Sequence, residues 1–361
     1  MIRVLVVDDS AFMRKALSMM LERDAEVRVI DTARDGQQAL DKIAEHDPDV
    51  VTMDIEMPRM DGLTALRHIM DETPRPVLMV SSLTRDGAEA TVKAMEAGAV
   101  GFLPKQRSRV SLKITEIEDD LVQRIKSAAG SNTRVLQRRL GAPSATGTAK
   151  RCDDGEAFVF RRAQLIAIGV STGGPFALQR VIPTLPADLP VPVAVVQHMP
   201  PHFTRSLANR LNANSALHVV EAEDGMPLEA GTVAIAPGGH HMVFRSGARA
   251  TIVKTPEEPE DTLHRPSVDV MMTSASEHFN GRVLGLIMTG MGKDGLNGAT
   301  AIKERGGRIM AQDEASSVVY GMPRAVAEAG VTDCVLPMEK LGPALSKAVG
   351  ASAEEVHSSR S

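Results

Sequence analysis

Several groups able to hold a cation or receive a phosphoryl group sit just beyond short apolar runs in the first third of the chain. Asp8 and Asp9 follow Ile2–Val7, Asp54 closes the run at 50–53, Ser81 and Ser82 follow 77–80, and Lys105 follows 100–103. If those runs are strands of one parallel sheet, their carboxyl ends converge on one crevice. Carboxylates gathered there repel one another, and a hard divalent cation such as Mg²⁺ relieves that repulsion through oxygen ligands. A carboxylate beside Mg²⁺ and a lysine ammonium can attack a phosphoryl donor, because the cations absorb the developing oxygen charge. A single strand-end aspartate would read as a helix cap. Matching groups at four strand ends read as a phosphoryl site.

A second constellation lies in the other half. Gly169-Val170-Ser171-Thr172-Gly173-Gly174-Pro175 joins an apolar run to an amphipathic one. Glycines let such a turn bend sharply, and the helix start beyond it offers free N–H groups to an anion. The phosphate-binding GxxxxGK[ST] pattern is absent, which argues against a nucleotide hydrolase. The turn could simply pack a helix on a strand, or it could present Ser171 as a nucleophile with N–H groups for an oxyanion. A nucleophilic serine needs a base and an orienting acid. His198 follows 192–197, while His240 and His241 follow 232–236; spacing alone leaves all of them open, with His198 favoured. Asp294, after 283–288, is the best-placed acid, and Asp269 competes from a predicted helix.

These groups require a scaffold of alternating strands and helices. Strands are predicted at 2–7, 27–31, 50–53, 77–80 and 100–103, with helices near 11–22, 36–46, 62–72, 85–97 and 108–126. The first helix carries an apolar stripe of Phe12, Met13, Ala16, Leu17, Met20 and Leu21, with Ser10 placed to cap it. Five βα units make a doubly wound parallel sheet. Residues 127–162 are rich in Ser, Gly, Ala and Thr and read as a linker, helical in its first part. Periodicity resumes with strands at 164–169, 192–197, 217–220, 232–236, 249–253, 283–288, 307–311 and 334–336. Helices lie near 174–185, 202–212, 267–278, 294–305 and 338–349. Glycines punctuating 232–253 suggest β-hairpins inserted in a second, Rossmann-like α/β sheet. The expected domains are therefore 1–126 and 163–349, with a frayed tail at 350–361.

Composition agrees. The chain has 361 residues, too many for one ordinary domain, and 43% hydrophobic residues, enough for packed cores. It has no Trp and one Tyr, so those cores must be aliphatic. A net charge of −5 and the lack of a basic helix-turn-helix segment argue against nucleic acid as partner. Cys152 and Cys334 are far apart, which suggests neither zinc site nor disulfide and fits a reducing compartment. No run approaches the ~20 apolar residues of a membrane span, so a cytoplasmic protein that is not integral to a membrane is expected.

Two families are resembled. VLVVDDSAFMR, TMDIEMPRMDG, VLMVSS and VGFLPK are similar to the receiver domain of two-component response regulators. That resemblance implies Asp54 as phospho-acceptor, Mg²⁺ held by Asp8, Asp9, Asp54 and the Glu56 carbonyl, and a histidine kinase as phosphodonor. It further implies Ser81 as switch hydroxyl and Lys105 as its cationic partner. The pattern departs after Lys105, where Gln106 stands in place of the usual Pro. GVSTGG, VQHMPPHFT, APGGHHM, HRPSVDV, MTGMGKDG and AQDEASSVVYGMPRAV are similar to the catalytic domain of chemotaxis protein-glutamate methylesterases. This implies a Ser171, His198, Asp294 triad, an oxyanion site near Thr172 and Met291, and no cofactor in that domain. It also implies methyl-accepting chemoreceptors as substrates, with deamidation of receptor glutamines as a second activity. An inactive signalling scaffold is the remaining alternative, and the intact set of Ser, His and Asp argues against it.

Overall fold

The computed structural model describes residues 1–82, 84–105, 114–133, 135 and 159–351. The chain divides into two compact units, Met1–Pro143 and Ser144–Ser361.

The first unit runs β1 (Ile2–Val7), α1 (Ala11–Leu21), β2 (Val27–Ala33), α2 (Gly36–His46), β3 (Val50–Asp54), α3 (Gly62–Glu72), β4 (Val77–Ser82), α4 (Arg85–Glu96), β5 (Gly101–Lys105) and α5 (Ile114–Ala129). Its sheet has the order β2-β1-β3-β4-β5, with every pairing parallel. Such strands are covered on both faces, so they read as unbroken apolar runs; Val4 to Val7 are fully buried. Ser10, Asp35, Asp61 and Thr84 cap the first four helices by accepting from N–H groups three residues on. The strand order reverses between β1 and β3, and ligands bind α/β sheets at such a switch point. Asp8, Asp9 and Asp54 flank it.

The apolar stripe of α1 is narrower than expected. Leu17 and Leu21 are buried, but Phe12 is 78% exposed. Positions four apart share a helix face, so Leu17 and Leu21 line the core while Phe12 is turned well away from them and Met13 is only half-buried. The predicted start of the fifth helix, 108–113, and most of the predicted linker lie outside the described residues.

The second unit runs β6 (Leu165–Val170), α6 (Gly174–Val181), β7 (Val193–Gln197), α7 (Phe203–Ala213), β8 (His218–Glu221), β9 (Thr232–Ile235), β10 (Val243–Ser246), β11 (Thr251–Lys254), α8 (Val268–His278), β12 (Val283–Ile287), α9 (Leu296–Glu304), β13 (Arg308–Gln312), α10 (Met322–Glu328), β14 (Cys334–Leu336) and α11 (Met338–Val349). A parallel seven-stranded sheet has the order β14-β13-β12-β6-β7-β9-β8. The hairpin insertion is the antiparallel pair β10–β11. The stretch at 232–236 belongs instead to the main sheet, where β9 pairs in parallel with β7 and β8. Its Val-Ala-Ile core is fully buried on both faces, as an inserted hairpin would not be. Here the order reverses between β6 and β12, so the segments after those strands, carrying Ser171 and Asp294, meet at a second switch point.

Cys334 is disulfide-bonded, contrary to the sequence expectation. Pairing depends on how closely the chain path brings two Cα atoms, which separation in sequence does not report.

Candidate active site

In the first unit, one oxygen from each of Asp8, Asp9 and Asp54 falls within a 4.8 Å cluster. Asp8 is fully buried, Asp54 is 4% exposed and Asp9 faces solvent. Lys105, at the end of β5, reaches between them: its Nζ lies 2.7 Å from Asp54 Oδ2 and 3.0 Å from Asp8 Oδ2. The second contact is at ion-pair distance without hydrogen-bond alignment, leaving that buried oxygen open to a further cation. Burial pushes the Asp54 carboxyl above its usual range, with the Asp8 charge adding to the shift and Lys105 opposing it. Lys105 is likewise desolvated, yet its close contacts with the Asp54 and Asp8 carboxylates win and raise its pKa. One ammonium thus serves an excess of carboxylates, and the oxygen-only donor set suits Mg²⁺.

Glu56, in the turn after β3, lines the same cavity as Asp9. Ser81, on β4, points away from the acids. Its Oγ sits 2.7 Å from Thr91 Oγ1 and 3.1 Å from the Gly87 carbonyl, both on α4. The Pro104-Lys105 order does not displace the lysine, because β5 stays in register with β4 through Ser82 opposite Lys105.

In the second unit, Ser171 leaves β6 and the chain turns into α6. Gly173 takes φ +76°, a left-handed conformation that glycine adopts without a Cβ penalty. Across the turn, a Cβ on Gly290 would stand 2.8 Å from Ser171 Cβ, so bare backbone there makes room for the nucleophile. The turn is wired in place. Ser171 N–H donates to Thr289 O (3.0 Å), Gln197 Nε2 donates to Ser171 O (3.0 Å), and Thr289 Oγ1 donates to Thr172 O (2.9 Å). Thr289 Oγ1 also accepts from Val319 N–H (3.0 Å), and Gln312 Oε1 accepts from Thr289 N–H (2.8 Å). The AQDEASSVVYGMPRAV motif therefore buttresses the serine turn.

A hydrogen-bonded chain leads away from Ser171. Its Oγ is 3.1 Å from His198 Nδ1, and His198 Nε2 is 2.7 Å from Asp294 Oδ2. Asp294 also accepts from Val268 N–H (2.7 Å), Asp269 N–H (2.9 Å) and Ser267 Oγ–H (3.0 Å), the N-terminus of α8 with its cap. Burial alone would raise the Asp294 carboxyl. His198 and those N–H groups overcome it and hold the pKa at about 2. An ionised carboxylate only accepts, so Nε2 carries the His198 proton and the Nδ1 lone pair faces Ser171.

The competing residues do other work. Asp269 accepts from Gly295 N–H (2.9 Å), Gly298 N–H (2.8 Å) and Asn297 Nδ2 (3.0 Å), capping α9 and steadying the Asp294 turn. His240 is partly exposed, 3.7 Å from Glu257. His241 is fully buried, accepting from Ser267 N–H at Nδ1 (3.2 Å) and facing the Pro259 carbonyl with Nε2 (3.1 Å). Burial pushes its pKa down, so it stays neutral. Among the described residues, no backbone carbonyl takes the N–H of Thr172 or Met291. A neighbour not singled out from spacing is His264, which stacks on His198 with ring centroids 4.0 Å apart. Its signal was the HRPSVDV motif, but nothing in that spacing says which ring it covers.

A doubly wound sheet with acids and a lysine at its strand ends, followed by one presenting a Ser–His–Asp chain, defines a class that joins a receiver-type unit to a hydrolase-type unit. The comparisons agree. A family model described as response regulator receiver domain matches residues 4–115, and one described as CheB methylesterase matches 166–345. The chain is 49% identical to the protein-glutamate methylesterase/protein-glutamine glutaminase 2 of Nitratidesulfovibrio vulgaris, over 96% of this chain and 98% of that one. It is 44% identical to the protein-glutamate methylesterase/protein-glutamine glutaminase of Pyrococcus horikoshii, over 96% and 94% respectively. The crystal structure of the Thermotoga maritima CheB methylesterase catalytic domain superposes with a TM-score of 0.50 at 43% identity, covering 51% of this chain and 97% of that one. The chain belongs to the CheB methylesterase family, with a receiver domain preceding the methylesterase domain.

Proposed function

We propose that the protein is a phosphorylation-regulated hydrolase that removes methyl groups from glutamyl methyl esters of chemoreceptors and deamidates receptor glutamines. The observation that carries this reading is the unbroken chain from Ser171 Oγ through His198 to Asp294. His198 Nδ1 takes the serine proton as Oγ attacks the ester carbonyl. The N–H groups of Thr172 and Met291 receive the oxyanion, and each such donor contributes about 10²–10³ in rate. The C–O bond to methoxide then breaks as His198 returns the proton, releasing methanol and leaving a glutamyl-serine ester. Water, deprotonated by the same nitrogen, cleaves that ester to the free carboxylate. Asp294 holds the tautomer and stabilises the imidazolium. A glutamine presents the same carbonyl with ammonia as leaving group.

The regulatory half of the reading places the phospho-acceptor at Asp54, with a histidine kinase as donor. Asp8, Asp9, Asp54 and the Glu56 carbonyl would hold Mg²⁺, which when bound neutralises the crowded oxygens. Lys105 balances charge on the phosphoryl oxygens, and Ser81 is the hydroxyl that turns toward them. We assign residues 1–126 to the receiver, 127–162 to a linker, 163–349 to the esterase and 350–361 to a tail. No helix among the described residues is long and apolar enough to cross a membrane, which fits an enzyme that acts on receptors from the cytoplasm.

Methanol release from methylated receptor membranes tests the site. Ser171→Ala and His198→Ala should each lose a factor of about 10⁴ or more, while His240→Ala retains most activity. A His240→Ala protein as inactive as Ser171→Ala would show that the base is misassigned.

A further inference from the structure

The parallel ladder between β6 and β7 ends at the rung that pairs Val170 with Gln197. His198 N–H still donates to Val170 O (3.3 Å), and beyond it the two chains diverge, Ser171 into the turn before α6 and His198 into the loop before α7. The sheet therefore stops tying the nucleophile's segment to the base's segment just where their separation matters. The Gln197 side chain takes over. It is 2% exposed, and its Nε2 donates to Ser171 O (3.0 Å) and to His198 O (3.3 Å). Two carbonyls cannot bond each other, so a group between them must offer two donors, and an amide NH2 does so without charge. A lysine or arginine would also donate twice, but its charge would oppose formation of the His198 imidazolium. The amide is held there against a penalty. Its Oε1 is buried with no hydrogen-bond partner among the described residues, and a Cβ on Gly174 would stand 1.9 Å from it. Turning the amide over would aim Oε1 at two carbonyl oxygens, so its orientation is fixed. A buried acceptor left unsatisfied calls for a reason, and space filling alone would be better met by leucine or methionine.

We propose that Gln197 is a positioning residue for the reaction at Ser171, a strut that sets the separation of nucleophile and base. This rests on the esterase reading of Ser171 and His198 and adds what keeps their 3.1 Å contact in reacting range. The effect runs through the backbone. One NH2 group fixes the carbonyl of the residue that carries Oγ and the carbonyl of the residue that carries Nδ1. Gly174, the first residue of α6, wedges the amide from its other end, so the helix start sets how far the strut reaches. Asp294 supports the far side of the imidazole, at Nε2 (2.7 Å). The two supports differ in kind, since Asp294 selects the tautomer while Gln197 selects the distance. Displacing reacting atoms by about 1 Å can lower a rate by about 10²-fold. Because the amide is buried beneath the two segments, its loss affects the chemical step and not the hold on the receptor.

The test uses the full-length protein with phosphodonor and three readouts: methanol release from methylated receptor membranes, labelling of Ser171 by a small fluorophosphonate, and the NMR nitrogen resonance of His198 Nδ1. Gln197→Leu keeps the bulk and removes both donors, so kcat and the labelling rate should each fall about 100-fold with KM nearly unchanged. The Nδ1 resonance should move toward its position in Ser171→Ala, because the serine hydroxyl no longer reaches that nitrogen. Gln197→Glu has nearly the same shape and decides the matter should the leucine variant fail to fold. It should lose at least about 10-fold in kcat, because a carboxylate offers no donor and a protonated carboxyl only one. Wild-type kcat in either folded variant overturns the strut while leaving the serine site intact. A fall in kcat with the Nδ1 resonance unmoved also overturns it, because Gln197 would then serve the fold and not the distance between the two groups. A wild-type protein that is neither labelled nor releases methanol fails at the esterase reading itself, and the strut falls with it.

Discussion

The two sites are built at corresponding places, the switch points of doubly wound sheets, yet they stand in different states of completion. In the second unit each group already touches the next: Ser171 to His198 at 3.1 Å and His198 to Asp294 at 2.7 Å, with the carboxylate filled by α8. In the first unit the groups are only partly joined. Lys105 bridges Asp8 and Asp54, while Ser81 is tied back to Thr91 and Gly87 on α4. A catalytic site gains from preorganisation, because no reorganisation is then needed as charge develops. A switch must instead have two arrangements of similar energy that a ligand or modification can bias. The contrast suggests an enzyme whose chemistry is permanently assembled and whose control resides elsewhere in the chain.

The largest effect that could break this contrast is at Asp294. Asp294→Asn keeps the shape but can donate to Nε2, which favours the wrong His198 tautomer. Methanol release should fall by about 10³–10⁴. A loss under 10-fold would mean that the orienting acid is not needed and that the site is less finished than its geometry suggests.

On the receiver side the expected effect is smaller. Thr91→Val removes the hydroxyl that holds Ser81 back, at a cost of about 1 kcal/mol to that arrangement. The phosphodonor concentration for half-maximal activation should fall a few-fold, with the fully activated rate unchanged. An increase would show that Thr91 supports the active arrangement instead.

The smallest effect is on stability. Asp294 is held at about 2, below its ordinary 3.8, so its ionised form stabilises the fold by about 2 kcal/mol. For a depressed carboxyl that contribution is present above pH ~4 and is lost as pH falls toward 2. Tyr320 is the only tyrosine and there is no tryptophan, so intrinsic fluorescence reports on the second unit. The gap in unfolding midpoint between wild type and Asp294→Asn should shrink as pH falls from 5 to 2. A gap that does not change with pH would remove the ionised carboxylate from the account.

What could be read from sequence, and what could not, follows from the same physics. Strand-end residues such as Asp8, Asp54, Ser171, His198 and Asp294 were legible because buried parallel strands announce themselves as apolar runs and chain order brings their carboxyl ends together. Phe12 was misplaced because a six-residue stripe is wider than the face the sheet covers. The run at 232–236 was read as a hairpin because glycine punctuation marks turns without saying which strand pairs with which. The helix α10, seven residues behind a Gly-Met-Pro start, was too short to show a period. His241 and His264 were beyond reach for another reason: their partners are fixed by the path of the 255–266 segment, which has no periodic pattern.

Methanol release by the full-length protein, with and without a small phosphodonor and Mg²⁺, tests the central claim most directly. A coupling of about 1–3 kcal/mol predicts activation of roughly 5- to 150-fold, abolished by Asp54→Asn and by chelation of the metal. Equal rates with and without donor, or activation that persists in Asp54→Asn, would contradict it.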